Sequence, residues 1–297
     1  MKRIVTAMWL VGAAAGAPAQ AITASLQATH DSDSFDELKE TLAYIGAQGW
    51  GIKGGAMRYT APGWSANGSL LAGTYKRDDG QTQLDASLGL ARVASHDYLV
   101  GGLEYLQRLR PTTAVGFSVE RDFVNSVQGI QSGITYTSLA LVADHAFTDR
   151  FNVGVAAGTA LFSNDNQRPI LRTRWSYALN EAYGLNAFFK TRNYRNANPY
   201  RTEYFSPRRL QEASLGLSLR FAVAQAMVLN ASMDAGQQRI DGASEPIWSA
   251  SLGIASRRGS PVEWMAGIEA NNSASLFTSQ SASYRYTGAV ARLKVPF

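Results

Sequence analysis

Side chains that could carry out catalysis are sparse in this sequence. It has three histidines, His30, His96 and His145, and no cysteine, which excludes a thiolate metal site and a cysteine nucleophile. A serine hydrolase needs a histidine within reach of its serine, but Ser138 is seven residues from His145 and has the opposite parity on a strand. The HExxH, GxSxG and EF-hand patterns are missing. The sequence therefore predicts no catalytic residue, no metal site and no cofactor, and we expect the protein not to be an enzyme.

Charged side chains are the second group of residues that could bind a ligand. They recur at alternate positions in otherwise apolar or small-residue segments, and both signs are present. Those expected to share one face are Glu104, Arg108, Glu120, Asp122, Arg172, Arg174, Lys190, Arg192, Arg220, Asp234, Glu263, Glu269, Arg292 and Lys294. Two interpretations stay open: the charges neutralise one another and stiffen the structure, or they line a hydrophilic passage. The acidic segment DSDSFDE is similarly open, as a loose calcium site or a solvated loop.

The elements that must position these residues are β-strands. From residue 22 onward, apolar residues alternate with polar or small ones in short runs separated by turn residues. In RTRWSYAL, for example, Arg172 and Arg174 share one face while Trp175 and Tyr177 share the other. Such runs predict about sixteen strands, at residues 22–30, 36–46, 50–60, 64–76, 81–94, 98–109, 112–122, 134–147, 150–162, 168–180, 183–195, 208–222, 226–238, 246–257, 261–271 and 283–297. Each is long enough for a tilted transmembrane strand of ~9–11 residues.

The first 21 residues have the plan of a secretory signal peptide. A basic start, MKR, precedes the apolar stretch IVTAMWLVGAAAG and a small-residue cleavage site that ends at Ala21. A membrane anchor is the alternative, but the stretch is short for a helix, which needs ~20 apolar residues to span a bilayer. We therefore expect an exported chain whose mature part is residues 22–297.

The carboxyl terminus helps to choose between two β architectures. Alternation alone fits a soluble sandwich, with its apolar face inside, or a membrane barrel, with its apolar face toward lipid. The chain ends LKVPF, with apolar residues at alternate positions up to Phe297. Such an end resembles the signal by which the barrel-assembly machinery of the outer membrane recognises its clients; a buried final strand of a soluble domain is the alternative. With the export signal, it predicts an all-β fold: a transmembrane antiparallel β-barrel of about 16 strands, in outer-membrane lipid of a Gram-negative bacterium.

Connector lengths also favour a barrel. Outer-membrane barrels have short turns on the periplasmic side and longer loops outside. Reading back from the end, NNSASLFTSQS, QQRIDGASE and NYRNANPYRTEYFSP are expected to be long, while RRGSP and AVAQA are expected to be short. The net charge of +5 comes without any Lys/Arg-rich run, so no nucleic-acid partner is expected.

A segment that begins at Glu120-Arg121-Asp122 carries a family resemblance, over about a third of the chain, through two further motifs. FSNDNQR spans residues 162–168, and YFSPRR spans residues 204–209 before a strand of alternating leucines. This segment resembles the carboxy-terminal barrels of exopolysaccharide secretion porins, of the type that exports cellulose or poly-N-acetylglucosamine. The turn departs from the family, with Asn164-Asp165 where Asp-Gly is frequent. Such exporters also carry a periplasmic helical-repeat domain, which this chain is expected to lack, so a periplasmic or inner-membrane polysaccharide synthesis or export partner is expected to supply it.

The resemblance implies an outer-membrane channel that conducts exopolysaccharide, as in biofilm formation. A glycan would then pass aromatic rings and polar groups, and the residues expected to contact it are Glu120, Arg172, Arg174 and Arg192 in the lumen and Tyr194, Tyr200, Tyr204 and Phe205 in the loop. An alternative for the Tyr-Phe-Ser-Pro loop is a segment that folds inward and braces the barrel. Alternative functions are a general or solute-specific diffusion porin, which should have an inward-folded acidic loop, and an outer-membrane enzyme or structural barrel. A conduit should have an open, aromatic-lined lumen.

Overall fold

The protein is one closed antiparallel β-barrel of sixteen strands. The computed structural model describes residues 20–224, 226–257, 259–273 and 284–297. The strands are β1 (Ala21–Asp31), β2 (Asp36–Ile45), β3 (Trp50–Ala61), β4 (Trp64–Asp78), β5 (Thr82–Val93), β6 (His96–Arg110), β7 (Thr113–Phe123), β8 (Thr135–Ala146), β9 (Phe151–Phe162), β10 (Gln167–Asn180), β11 (Leu185–Arg195), β12 (Arg209–Ala224), β13 (Met227–Ile240), β14 (Ala243–Ser256), β15 (Glu263–Asn271) and β16 (Tyr286–Pro296). The sequence-based fold class is confirmed.

Each strand pairs with its neighbours in the chain, and β1 pairs with β16 to close the ring. The closing register runs from Ala21 opposite Pro296 to Asp31 opposite Tyr286. The ring therefore leaves no open edge whose backbone groups lipid would fail to satisfy. The backbone N–H of Phe297 donates a further bond to the carbonyl oxygen of Gln20 at 2.9 Å.

The outer wall is apolar, as the alternation predicts. On β10, Leu171, Trp175 and Tyr177 are exposed, whereas the intervening Arg172 and Arg174 are half-buried. The same alternation exposes Leu215, Leu217, Met233, Leu141 and Leu88 on other strands. Because an apolar outer face and a polar inner face suit lipid outside and water inside, the polar residues point to the lumen.

The two ends of the barrel differ. One end, here called the terminal end, carries Gln20, Phe297 and the turns at residues 46–49, 79–81, 111–112, 147–150 and 181–184. The opposite end, the loop end, carries the connectors at residues 124–134 and 196–208 and a five-residue helix, α1 (Val127–Gln131), in the first of these. No helix in the described residues has the length and apolarity to cross a membrane.

The sequence analysis predicted that QQRIDGASE is a long loop, and this prediction is wrong. β13 and β14 extend through it and leave only Asp241 and Gly242 between them. Both residues have positive φ, 51° and 104°. This matches a two-residue turn of type I′, for which Asp-Gly is a preferred sequence.

Candidate functional site: the lumen and its loop-end closure

A cavity of about 800 Å³ with a mixed polar and apolar lining lies in the lumen. It is bordered by β1–β7 on one side and β12–β16 on the other. Uncharged hydroxyl and amide side chains are frequent in its wall, among them Thr29, Thr41, Ser87, Asn230, Ser232 and Ser251. Acidic and basic side chains also line it, including Lys53, Asp85, Glu104, Glu120, Arg220 and Arg292. Such a wall offers hydrogen-bond donors and acceptors to a hydrated solute without a single dominant charge.

Other inward charges are neutralised within the barrel. Lys190 on β11 lies 2.7 Å from the carboxylate of Asp234 on β13, and Lys294 lies 3.0 Å from Glu263. The carboxylate of Asp234 also accepts a hydrogen bond from Ser249. Both interpretations of the charged residues therefore hold, because some form ion pairs across strands and others line the cavity.

β10 and β11 form a basic wall away from the large cavity. Arg172 and Arg192 lie directly opposite each other on the two strands. Arg192 binds Glu212 through two nitrogens, and both residues bond Ser273 Oγ at 2.9 Å. Arg174 places its guanidinium 3.7 Å from the ring centroid of Phe188. These contacts fix Arg192 and Arg174 against protein groups, whereas Nε of Arg172 is buried without a hydrogen-bond partner among the described residues.

The structure separates the predicted glycan-contact residues into different places. Glu120 lines the large cavity and accepts a hydrogen bond from Tyr136 at 3.0 Å. Arg172 borders a much smaller cavity, of about 20 Å³, beside Ser138 and Gly158. Of the predicted glycan-contact residues, seven are not among the described residues that line the large cavity: Arg172, Arg174, Arg192, Tyr194, Tyr200, Tyr204 and Phe205. Their part in conducting a glycan stays a prediction.

Tyr194 is not a loop residue, contrary to expectation, because β11 continues to Arg195. It faces inward and is buried with Phe205 and Leu210. Tyr200, in contrast, is in the loop and is 61% exposed, with a positive φ of 62°. The Tyr-Phe-Ser-Pro segment of the loop is buried, so the loop folds inward and braces the barrel.

Arg168 is the centre of this brace, and the sequence analysis assigned it no role. It is completely buried, although it is an arginine. Its guanidinium carbon lies 5.0 Å from the ring centroid of Phe162, 4.8 Å from that of Tyr194 and 5.6 Å from that of Tyr204. Cation–π contacts of this kind are stronger when water is excluded. Its inward parity on β10 was a signal available in the sequence.

Arg168 also holds the loop through hydrogen bonds. Its Nε donates to Oδ1 of Asn196 at 2.8 Å, and its Nη2 donates to the carbonyl oxygen of Phe205 at 2.7 Å. Asn196 in turn donates to the carbonyl oxygen of Pro207 at 2.5 Å. One buried cation thus joins both ends of the inward segment of residues 196–208, here called the plug.

Tyr204 fixes the tip of the plug. Its ring stacks on Phe162 with centroids 4.4 Å apart and an interplanar angle of 10°. Its hydroxyl accepts from Asn166 at 3.0 Å and donates to Oδ1 of Asn164 at 3.1 Å. Burial raises the pKa of this hydroxyl, so it stays protonated and able to donate.

A second inward segment, residues 124–134, covers the mouth over β3–β6; it is here called the lid. Ser126 caps α1 by accepting from the N–H of Gly129 at 2.9 Å. Ile130 is completely buried in an apolar cluster with Tyr98 and Phe123. The hydroxyl of Tyr98 donates to the carbonyl oxygen of Ile130 at 3.3 Å.

The lid and the plug meet at the loop end. Asn125 of the lid donates to Glu37 on β2, and Ser126 donates to the backbone oxygen of Glu203 in the plug. We expected aromatic rings along the lumen, but most of the inward rings pack between the lid, the plug and the strands at the loop end. The aromatic residues that line the cavity, among those described, are Phe123 and Tyr286. In the described part of the chain, the lid and the plug therefore fold over the loop end of the lumen and contact each other there.

The remaining predicted sites lie apart. Phe297 is 64% exposed at the terminal end, where its ring stacks with Tyr44 at 6.3 Å; its role in assembly stays a prediction. His145 bonds Thr113 at 2.9 Å near the same end. Within the described residues, no group of three or more acidic, histidine or cysteine side chains could hold a metal ion. The predicted signal peptide, residues 1–21, lies outside the described residues except for its last two.

The closed ring, apolar outer wall and polar lumen define the fold of the bacterial outer-membrane β-barrels. The solved structures similar to it include one described as a bacterial polysaccharide outer membrane secretin, with a TM-score of 0.74, 11% identity, and coverage of 95% of this chain and 99% of that chain. CdiB from Acinetobacter baumannii is similar with a TM-score of 0.52 and 11% identity, over 93% of this chain and 60% of that one. No family model and no curated protein matches the chain.

Proposed function

We propose that this barrel conducts a polysaccharide across the outer membrane, as part of an exopolysaccharide secretion system. The observation that carries the proposal is the luminal cavity of about 800 Å³, which has hydroxyl, amide and charged groups of both signs that can bond the hydroxyls of a glycan chain and apolar surface that can contact its sugar rings. The likeness to a polysaccharide outer membrane secretin supports it at the level of the fold. The narrower assignment, to the type that exports cellulose or poly-N-acetylglucosamine, rests on the FSNDNQR and YFSPRR motifs.

In this proposal the chain reaches the outer membrane by means of its signal peptide. The barrel-assembly machinery inserts it and recognises Phe297. A periplasmic or inner-membrane partner delivers the glycan at the terminal end. The glycan leaves at the loop end, where the lid must move because it covers the mouth.

The lid is the better candidate for movement than the plug. The plug is held to β10 by two hydrogen bonds from the buried guanidinium of Arg168. The lid is held by a hydrogen bond from Asn125 to Glu37 on β2, by one from Tyr98 on β6 to the carbonyl oxygen of Ile130, by one from Ser126 to the plug, and by the burial of Ile130. Replacing residues 125–133 by a short Gly-Ser turn should therefore raise single-channel conductance in a planar bilayer.

Cysteine chemistry tests the path, because the chain has no cysteine of its own. Ser87 lines the cavity, and its neighbour Leu88 is 65% exposed on the outer wall. In the lid-replaced barrel, a bulky methanethiosulfonate should reduce conductance through Ser87→Cys and leave Leu88→Cys, the matched control, unchanged. Neutral oligosaccharides should slow the modification of Ser87→Cys.

A diffusion porin is the second candidate, favoured by the inward fold of the plug. Against the expectation for a porin, the plug is not acidic: it contains Glu203 but also Arg201 and Arg208. If monosaccharides and amino acids protect Ser87→Cys as well as oligosaccharides do, the porin is the correct function. If the methanethiosulfonate does not reduce the conductance of the lid-replaced Ser87→Cys barrel and no sugar slows its modification, conduction through this cavity is refuted.

A further inference from the structure

An arginine pair lies on the outer wall at the loop end. Arg195 is the last residue of β11, Arg209 is the first residue of β12, and they are directly opposite in the register. Both are exposed, whereas the adjacent Tyr194 and Leu210 are buried inside the barrel. Because side chains alternate between faces, the two arginines project from the outer face.

Arg239 extends the pair to a third strand. It lies on β13 opposite Gln211, which is two residues from Arg209 on the same face of β12. Arg239 is exposed, while the neighbouring Gln238 is buried inward. Such diagonal neighbours are ~7–8 Å apart in a sheet. Arg195, Arg209 and Arg239 thus form one surface, here called the arginine patch.

The guanidinium groups of the patch form no ion pair with a carboxylate of the described residues, although Nε of Arg239 donates a hydrogen bond to the carbonyl oxygen of Gly242 at 3.2 Å. The nearby Asp241 accepts from the backbone N–H groups of Arg208 and Arg209, at 3.2 and 2.7 Å, and so serves the turn. Like charges directly opposite on a sheet are destabilising, so an external anion between them would relieve the repulsion.

Two arginines at the terminal end, Arg77 and Arg150, are different. Arg77 lies 2.9 Å from Asp79, and Arg150 lies 3.5 Å from Glu181. These two arginines therefore have acidic partners in the protein, whereas the three arginines of the patch form no salt bridge in the described residues.

The depth of the patch indicates the partner. Farther along the same outer face come Leu215, which is 66% exposed, and Met233, which is 65% exposed, so the patch borders the lipid-facing band. The loop end of an outer-membrane barrel faces outward. Guanidinium groups bind phosphate with paired hydrogen bonds.

We propose that the arginine patch binds the phosphate groups of an anionic glycolipid in the outer leaflet, of the lipid A class. The acyl chains of that lipid lie along the adjacent leucine and methionine surface. The patch thereby fixes a lipid at the β11–β13 wall, directly outside the plug.

Binding of diphosphorylated lipid A to the purified full-length barrel, in nanodiscs of zwitterionic phospholipid, tests this proposal. The variant Arg195→Gln/Arg209→Gln/Arg239→Gln should bind it on the order of 100-fold more weakly, because each basic residue near an anionic surface contributes roughly a fivefold change. The variant Arg77→Gln/Arg150→Gln, at the opposite end, should bind as the parent does. Folding of every variant is checked by the heat-dependent shift of its electrophoretic mobility.

Three results would overturn the proposal: an unchanged affinity in the triple variant, equal binding of dephosphorylated lipid A, or full competition by millimolar inorganic phosphate, which would identify a free-anion site. If the triple variant does not fold, Arg195→Gln and Arg209→Gln are measured singly, and each should weaken binding roughly fivefold. Unchanged affinity in both single variants would likewise refute it. Because the assay reads lipid binding, it is independent of whether the lumen conducts a glycan.

Discussion

Removing Arg168 should release the plug while the barrel stays folded. Arg168→Met keeps an unbranched side chain of similar length and removes the charge, the ring contacts and the two hydrogen bonds to the plug. Methionine fills irregular apolar space well, so the ring cluster around the position should stay packed. The change is therefore directed at residues 196–208.

The expected magnitude follows from the contacts. Hydrogen bonds from a charged group contribute ~1.5–3 kcal/mol each, and ring contacts of a buried cation add ~1–2 kcal/mol. Burying the guanidinium offsets several kcal/mol of this, and the orphaned carbonyl of Phe205 costs ~1–3 kcal/mol in the variant. We take ~3 kcal/mol as the net loss, which corresponds to an open fraction of the plug on the order of 100-fold higher.

A single cysteine in the plug measures this opening. Ser206 is 4% exposed, so Ser206→Cys should react slowly with a maleimide and on the order of 100-fold faster when Arg168→Met is added. Arg195→Met, one residue beyond the buried Tyr194 and exposed on the outer wall, is the matched control and should not change the rate. Equal labelling rates with and without the Arg168→Met change, in barrels that keep their heat-dependent mobility shift, would refute the role of Arg168 as the brace.

Two other predictions concern assembly and the basic wall. Phe297→Ala should reduce the amount of folded barrel in the outer-membrane fraction of cells, yet leave the thermal stability of refolded protein almost unchanged, since Phe297 is mostly exposed; a matching loss of stability would argue for a packing role instead. Glu212→Gln should lower the free energy of unfolding in denaturant by ~2–4 kcal/mol, because it leaves Arg192 without its carboxylate. Adding Arg192→Met should recover part of that loss, and failure to do so would mean that the pair is not coupled.

The alternation of apolar and polar residues was sufficient to predict the strands. The alternation of Arg172 and Arg174 with Trp175 and Tyr177 is a property of a few adjacent residues, and the structure has it as expected. The sequence analysis missed the Asp241–Gly242 turn, because it gave the polar character of QQRIDGASE more weight than the Asp-Gly pair, which favours a tight hairpin.

The residues that surround Arg168 could not be predicted from periodicity, because they come together through contacts between distant parts of the chain. Parity on β10 places Arg168 and Arg172 on the inner face, but it does not indicate which of them a loop will cover. That depends on residues 196–208 returning to the lumen, some 30 positions farther along the chain. The sequence analysis therefore named Tyr204 and the FSNDNQR motif separately, without the contacts that join them in space; the predicted role of Tyr204 as a glycan contact stays a prediction.

The pairing of β1 with β16 has a consequence for folding kinetics. The other strand pairs join neighbours in the chain, so they can form one hairpin at a time, whereas the closing pair brings together residues as far apart as Ala21 and Pro296. The entropy cost of closing a loop grows with its length as about (3/2)RT ln n, and contacts between distant residues slow folding. The seam between the first and last strands should therefore be the last to form and the first to open, and the rate of its closure should limit assembly of the whole barrel.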